Sequence, residues 1–225
     1  MTLSQTWKDR LVSWAVWLAC AGPLLWFVIQ AFTDGMGANP IEYVLRQLGV
    51  WALRFVCITL AMGPLSKLLK APVLIRYRRR VGLWAFAYVC LHLTTYIAID
   101  HQFDWPTIGK DIAKRPYITI GMAAFTMLVP MAVTSADKLR RRLGPGRWKR
   151  LHQLIYLIAP MGAVHYFLLV KADHRPPLVY GAVIAVLLAW HAVNGGLDRK
   201  KAAERRAAKA ARDAQKEAAK AEAAA

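Results

Sequence analysis

The stretch RYRRRVGLWAFAYVCLHLTTYIAI, residues 76–99, decides the architecture. Its first five residues carry four arginines, and the next nineteen, Val81–Ile99, carry no Lys, Arg, Asp or Glu. About 20 apolar residues make a helix long enough to cross a bilayer, and a basic cluster at one end is a cytoplasmic anchor. The block therefore reads as a transmembrane helix running outward from an arginine-rich inner end. One histidine, His92, interrupts it.

Working outward in both directions finds five more such blocks: Leu11–Phe32, Gln47–Ser66, Pro116–Ala136, Leu151–Val170 and Pro176–Leu197. Of all six, only Gln47–Ser66 contains a charged side chain, Arg54. The expected fold is all-α: a polytopic membrane bundle of six transmembrane helices. The first block is long for a signal peptide and no small-x-small site follows it, so it is expected to remain as a span. The chain is expected to divide into a short N-terminus (1–10), the six-helix domain (11–197) and a charged tail (198–225).

The composition agrees. The chain has 225 residues, 57% of them hydrophobic, with 31 Lys+Arg against 13 Asp+Glu and a net charge of +18. A nucleic-acid binder would mix such charge with its apolar residues along each helix. Here the two are segregated, and a nucleic-acid role is set aside. The apolar content excludes disorder. Cys20, Cys57 and Cys90 all lie inside apolar blocks, so a disulfide scaffold is excluded, and no CxxCH motif stands for covalent haem. The N-terminus, the second and fourth loops and the tail hold 24 Lys+Arg and 7 Asp+Glu, whereas the other three loops hold 6 of each. This asymmetry predicts both termini in the cytoplasm. Trp105 and Trp148 suit opposite interfacial belts. The Ala/Lys-rich tail reads as a solvated helix, or as a contact to anionic lipid or a cytosolic partner. No Walker or GxGxxG signature is present and no loop is long enough for a nucleotide domain. Chemistry must occur among the helices or be completed by another protein.

Ionisable groups within a membrane are costly and mark function. His92 stands about 16 Å from the inner end of its helix and His165 about 21 Å from the inner end of its own, at 1.5 Å per residue. They share a layer in the outer half. One neutral imidazole from each of two facing helices is what a bis-His b-type haem needs. Zinc would want four ligands, and a proton relay commonly recruits carboxylates; the spans offer neither. His101 and His174 fall in outer loops and read as exposed polar residues.

His152 lies thirteen residues before His165, about 20 Å away along a helix. It is a candidate for a second site. Thirteen residues at about 100° do not return to the same helix face, so a kink at Pro160 or Gly162 would be needed to re-aim one ring. Where a partner would stand on the third span the chain reads Arg78-Arg79-Arg80, which leaves His191 as the candidate. Arg54 lies about 12 Å below the outer surface, in the layer of His92 and His165. It reads either as a partner for haem propionates or as a residue snorkelling to headgroups. The basic stretches Arg76–Arg80 and Arg140–Arg150 enforce topology, and they also suit a phosphate-bearing cofactor such as a flavin mononucleotide or an acidic reductase.

Four stretches together resemble a known family: residues 72–83 (PVLIRYRRRVGL), Leu91-His92-Leu93-Thr94, Arg115-Pro116-Tyr117-Ile118-Thr119, and residues 148–156 (WKRLHQLIY). They are similar to the MsrQ family, haem-binding membrane subunits of bacterial periplasmic methionine sulfoxide reductase systems, within the ferric-reductase-like transmembrane superfamily. The resemblance covers roughly residues 10–195 and leaves out the tail. It implies a b-type haem and a flavin mononucleotide (FMN) in the bacterial inner membrane. It implies electrons passing from the quinone pool, or from a cytosolic flavin reductase, to a periplasmic molybdenum subunit that repairs oxidised methionine. The chain itself would transfer electrons without substrate chemistry of its own. The family's haem-linked histidines fall on His92, His152 and His165, and a basic residue on Arg54; His191 does not match. A ferric or quinone reductase built on the same haem core is the alternative.

Overall fold

A computed structural model describes residues 3–33 and 35–222. The described backbone is helical: α1 (Leu3–Phe32), α2 (Pro40–Leu68), α3 (Val73–Thr94), α4 (Trp105–Lys114), α5 (Pro116–Val133), α6 (Asp137–His152), α7 (Ile155–Leu169) and α8 (Arg175–Glu222). A π-helical turn, Thr95–Asp100, continues α3. The fold is an all-α membrane bundle.

Two compact units are distinguished, Met1–Ala185 and Val186–Ala225. The first contains α1 to α7 and the start of α8. The second is helical as far as Glu222, and within it the ring of His191 meets that of Trp190 at 5.2 Å. The end of the charged tail, residues 223–225, lies outside the described residues.

Among the described residues, five helical segments are long and apolar enough to span a membrane: Asp9–Phe32, Pro40–Leu68, Val73–Asp100, Pro116–Val133 and Arg175–Leu197. The remaining expected span, Leu151–Val170, differs from its sequence reading. Its region is a bent pair, Asp137–His152 and Ile155–Leu169, with a 40° bend between them. The break falls at Gln153–Leu154, immediately after His152, whereas Pro160 stays inside α7. At 15 residues, α7 alone covers only about 22 Å. Two further elements had no apolar block to announce them. The short α4 is amphipathic, started by Pro106 and by Asp104, whose carboxylate accepts the Thr107 N–H at 3.2 Å. In α6, Gly144 holds a left-handed φ of 75° before Pro145, so two short helices meet there.

The bundle is built around α2. Half of its apolar window is buried, against 17% or less for the other four spans. It packs most extensively on α3, and α5 on α7. Leu60 and Tyr88 are fully inaccessible, with Ala85 and Ala159 nearly so. Small residues at such contacts let helices approach closely. Trp14, Trp26 and Val186 are more than half exposed, as expected of side chains whose solvent is lipid rather than water. Tyr88 donates its hydroxyl hydrogen to the carbonyl of Cys20 at 2.9 Å, tying α3 to α1. Among the described residues no buried side-chain nitrogen or oxygen lacks a hydrogen-bond partner.

Candidate functional site

The two histidines expected to share a layer do so. The ring centres of His92, on α3, and His165, on α7, stand 6.2 Å apart, with the planes at 87°. Both residues are half-buried.

Each ring is fixed by the same device. The Nδ1 of His92 lies 2.9 Å from the carbonyl oxygen of Leu45 on α2. The Nδ1 of His165 lies 2.6 Å from the carbonyl oxygen of Tyr117 on α5. A carbonyl can only accept, so in both rings Nδ1 carries the hydrogen and Nε2 keeps its lone pair. Each carbonyl belongs to a helix, where it also faces the N–H four residues on. Those positions are Gly49 and Gly121. A Cβ on Gly49 would stand 3.2 Å from the His92 ring, and one on Gly121 would stand 2.9 Å from His165 Nδ1. A larger residue at Gly121 would force the His165 ring to shift, and one at Gly49 would make the His92 ring give by a few tenths of an ångström.

The pair fits a haem iron. An imidazole nitrogen bonds a transition metal at about 2.1 Å and the ring centre lies about 1.1 Å further out, so two imidazoles on opposite sides of one metal ion would have centres about 6.4 Å apart. The 6.2 Å separation matches. Two neutral imidazoles with anchored Nδ1–H groups are also the donor set that second-shell logic prescribes. Among the described residues no group of three or more His, Cys, Asp and Glu is placed to hold a metal ion by side chains alone. A porphyrin needs only the two axial nitrogens.

A polar cluster backs His165 at the end of the bundle away from the arginines. Asp111, on α4, is 7% exposed. Its carboxylate meets Arg115 Nε at 3.1 Å, the Tyr96 hydroxyl at 3.4 Å and His101 Nε2 at 3.6 Å. Arg115 in turn donates to the Tyr117 hydroxyl at 3.3 Å. Tyr117 is the residue whose carbonyl holds His165. His101, read from the sequence as an exposed loop residue, is thus half-buried in this cluster, its ring centre 4.5 Å from that of Tyr96. Tyr96 reaches Asp111 from the π-helical turn that begins three residues after His92; such turns frequently stand at functional sites.

Arg54 is held inside the bundle. Its Nε donates to the Tyr180 hydroxyl at 2.7 Å, and its guanidinium lies over the Trp51 ring at 4.5 Å. That contact is a cation–π pair. Tyr180 also meets Tyr166, the neighbour of His165, at 6.2 Å between ring centres. Along α2, Arg54 is about 7 Å from Gly49, against which His92 packs.

His152 occupies different surroundings. Its ring stacks on Trp148 with centres 3.9 Å apart. Its Nδ1 lies 3.0 Å from the Trp148 carbonyl, and its Nε2 lies 3.4 Å from Ser135 Oγ. The Trp148 indole donates to the Thr134 carbonyl at 3.2 Å, closing the end of α5 onto α6. Nearby, Arg79 of α3 bonds Asp137 of α6 at 2.7 Å. This hydrogen bond, with the guanidinium charge, holds the Asp137 carboxyl below the usual carboxylate range. It also fixes the start of α3 and the start of α6 at the same end, as the charge pattern requires.

Residues 48–163 match the family model described as "Ferric reductase like transmembrane component". Relatives of this chain carry the name protein-methionine-sulfoxide reductase heme-binding subunit MsrQ. The one from Caulobacter vibrioides is 50% identical over 84% of this chain and 90% of its own length. That from Rhodospirillum rubrum is 49% identical over 81% and 88%. That from Herminiimonas arsenicoxydans is 44% identical over 79% and 83%.

Proposed function

The chain belongs to the family of MsrQ haem-binding subunits, within the ferric-reductase-like transmembrane proteins, and from that premise we propose how its residues serve electron transfer. It is a multi-pass protein of the membrane, with the bacterial inner membrane consistent with its relatives. Its role is membrane electron transfer with haem. We assign His92 and His165 as the residues that would hold one b-type haem, through Nε2 of each ring. When bound, that group supplies one-electron redox chemistry between two low-energy states.

The chain's own residues do the rest. The carbonyls of Leu45 and Tyr117 hold both rings by Nδ1–H, which fixes their tautomer and raises the basicity of Nε2. Gly49 and Gly121 leave the space for those rings. Arg54, held by Tyr180, places positive charge about 7 Å along α2 from Gly49, where its planar fork suits a propionate. His152, between Trp148 and Ser135, is assigned to cofactor binding at the arginine-rich end, where electrons enter; both termini are placed on that cytoplasmic side. The cofactor there is a second haem or FMN. The donor is the quinone pool or a cytosolic flavin reductase. The acceptor is a periplasmic, molybdenum-containing methionine sulfoxide reductase subunit, consistent with the relatives' name.

One observation carries the assignment: the neighbouring rings with both Nδ1 atoms committed to carbonyls. The test is the absorbance spectrum of the detergent-purified protein. A Soret band that shifts on reduction is expected, and its absence would remove the haem reading. The partner is tested separately, by following repair of an oxidised periplasmic protein after deletion of this gene.

A further inference from the structure

A second place in the molecule is shaped for a ligand. A cleft of about 610 Å³ opens between α1 and α3, lined by Trp17, Arg76, Arg79, Arg80, Leu83 and Trp84, with Ala87 at its far end. That size lies within the range of about 300–1,000 Å³ typical of small-molecule sites. The residues from α3 recur every three or four positions and so form one stripe along the helix. The stripe changes character along its length. It starts at the basic boundary with three arginines and ends inside the span with Leu, Trp and Ala. From Arg76 to Ala87 the rise is about 16 Å.

The cleft is held in shape. Arg80 donates to the carbonyl of Ser13 on α1 at 3.2 Å, bridging the two walls at the charged end. One turn deeper, Trp17 of α1 meets Trp84 of α3 edge to face at 4.8 Å, bridging them at the apolar end. The Arg80 guanidinium also lies over the Tyr77 ring at 5.4 Å. Arg79 is shared with Asp137. Among the described residues, no carboxylate lines the cleft itself.

Its opening faces the hydrocarbon. Trp17 is 49% exposed and Leu83 38% exposed, and both lie at positions within membrane spans, where exposure means contact with acyl chains. A ligand must therefore carry an anionic group for the arginines and an apolar body for the tryptophans, and it must arrive from the side, within the membrane. We propose that this cleft is a specific site for an anionic phospholipid of the cytoplasmic leaflet, its phosphate on Arg76, Arg79 and Arg80 and its acyl chain along Leu83, Trp84 and Ala87. Basic pockets between helices on this side of a membrane bind such headgroups.

The test uses the full chain in nanodiscs of phosphatidylcholine with a minority of phosphatidylglycerol, examined by native mass spectrometry after release. One phosphatidylglycerol per chain is expected to stay bound, enriched over its share of the disc. Arg76→Gln is expected to lower retention about fivefold, the factor equivalent to about 1 kcal/mol for one basic residue at the membrane surface. Leu83→Trp, which fills the apolar arm and leaves every charge in place, is expected to lower it as well. Each variant's haem spectrum reports that it has folded. Retention in proportion to the disc composition, or retention unchanged in both folded variants, would overturn the proposal. Free FMN, added as a soluble phosphate competitor, is expected to leave the lipid in place; displacement by it would assign the arginines to a soluble phosphate instead.

Discussion

His92 and His165 stand with ring centres 6.2 Å apart, and each ring is pinned through Nδ1 to a helix carbonyl whose i+4 neighbour is a glycine. The pair thus joins four helices, with α3 and α7 supplying the imidazoles and α2 and α5 the acceptors. Anchoring of this kind places two nitrogen lone pairs without requiring any charged residue at that depth.

The glycines give the first prediction. Gly121→Ala puts a methyl group 2.9 Å from His165 Nδ1, and Gly49→Ala puts one 3.2 Å from the His92 ring. Haem bound per polypeptide should fall in both, more in Gly121→Ala. Gly109→Ala meets nothing within 4 Å and lies in α4, where alanine favours the helix by up to about 1 kcal/mol. It should retain full haem. Equal content in all three variants would separate the glycines from the site.

Asp111 acts at one remove. Asp111→Asn weakens the hold on Arg115 and so on Tyr117, whose carbonyl accepts from His165. A looser Nδ1–H bond makes the axial nitrogen less basic and the ferric state less stabilised. The midpoint potential should rise by up to about 40 mV, the one-electron equivalent of about 1 kcal/mol, with haem content retained. A redox titration checks the sign; a fall in potential would contradict it.

For Arg54 the opposite sign is expected. A positive charge beside a haem favours the reduced state, so Arg54→Gln should lower the potential. Tyr180→Phe keeps the charge but releases the guanidinium from its 2.7 Å bond, and its shift should be smaller. An unchanged potential in Arg54→Gln would return that residue to a packing role against Trp51.

His152→Ala should leave the spectrum of the His92–His165 haem intact and slow its reduction from the cytoplasmic side, as stopped-flow absorbance would show. Haem quantification on the same sample distinguishes the inner cofactor: loss of one haem per chain assigns His152 as an axial ligand of a second. Loss of the whole Soret band would place His152 in the first site instead.

Much of this was legible in the sequence, for physical reasons. The segregation of arginines from apolar blocks is a direct consequence of bilayer energetics, so the membrane fold and five of its spans could be read from it. The depth of His92 and His165 followed from a constant rise per residue. The region of Leu151–Val170 was less legible, because the break at Gln153–Leu154 carries neither Pro nor Gly. Counting 100° per residue from His152 to His165 fails for that reason: the two lie on different helices, and neither Pro160 nor Gly162, the positions the sequence offers for a kink, breaks α7. Nor could composition reveal Leu45 and Tyr117, since they act through backbone carbonyls and their side-chain identities say nothing of it. Gly49 and Gly121 were the available signal, as glycine inside an apolar helix often marks a close approach. Asp111 and Tyr180 lie outside the central spans or near a span's edge, and only tertiary packing brings them to the site.

The central claim is that His92 and His165 hold one haem between them. The most direct measurement is the reduced-minus-oxidised spectrum, with haem per polypeptide, of the wild type, His92→Ala and His165→Ala purified side by side. A b-type difference spectrum in the wild type that is mostly lost in each single variant is the predicted result. Full haem retention in both variants would contradict it.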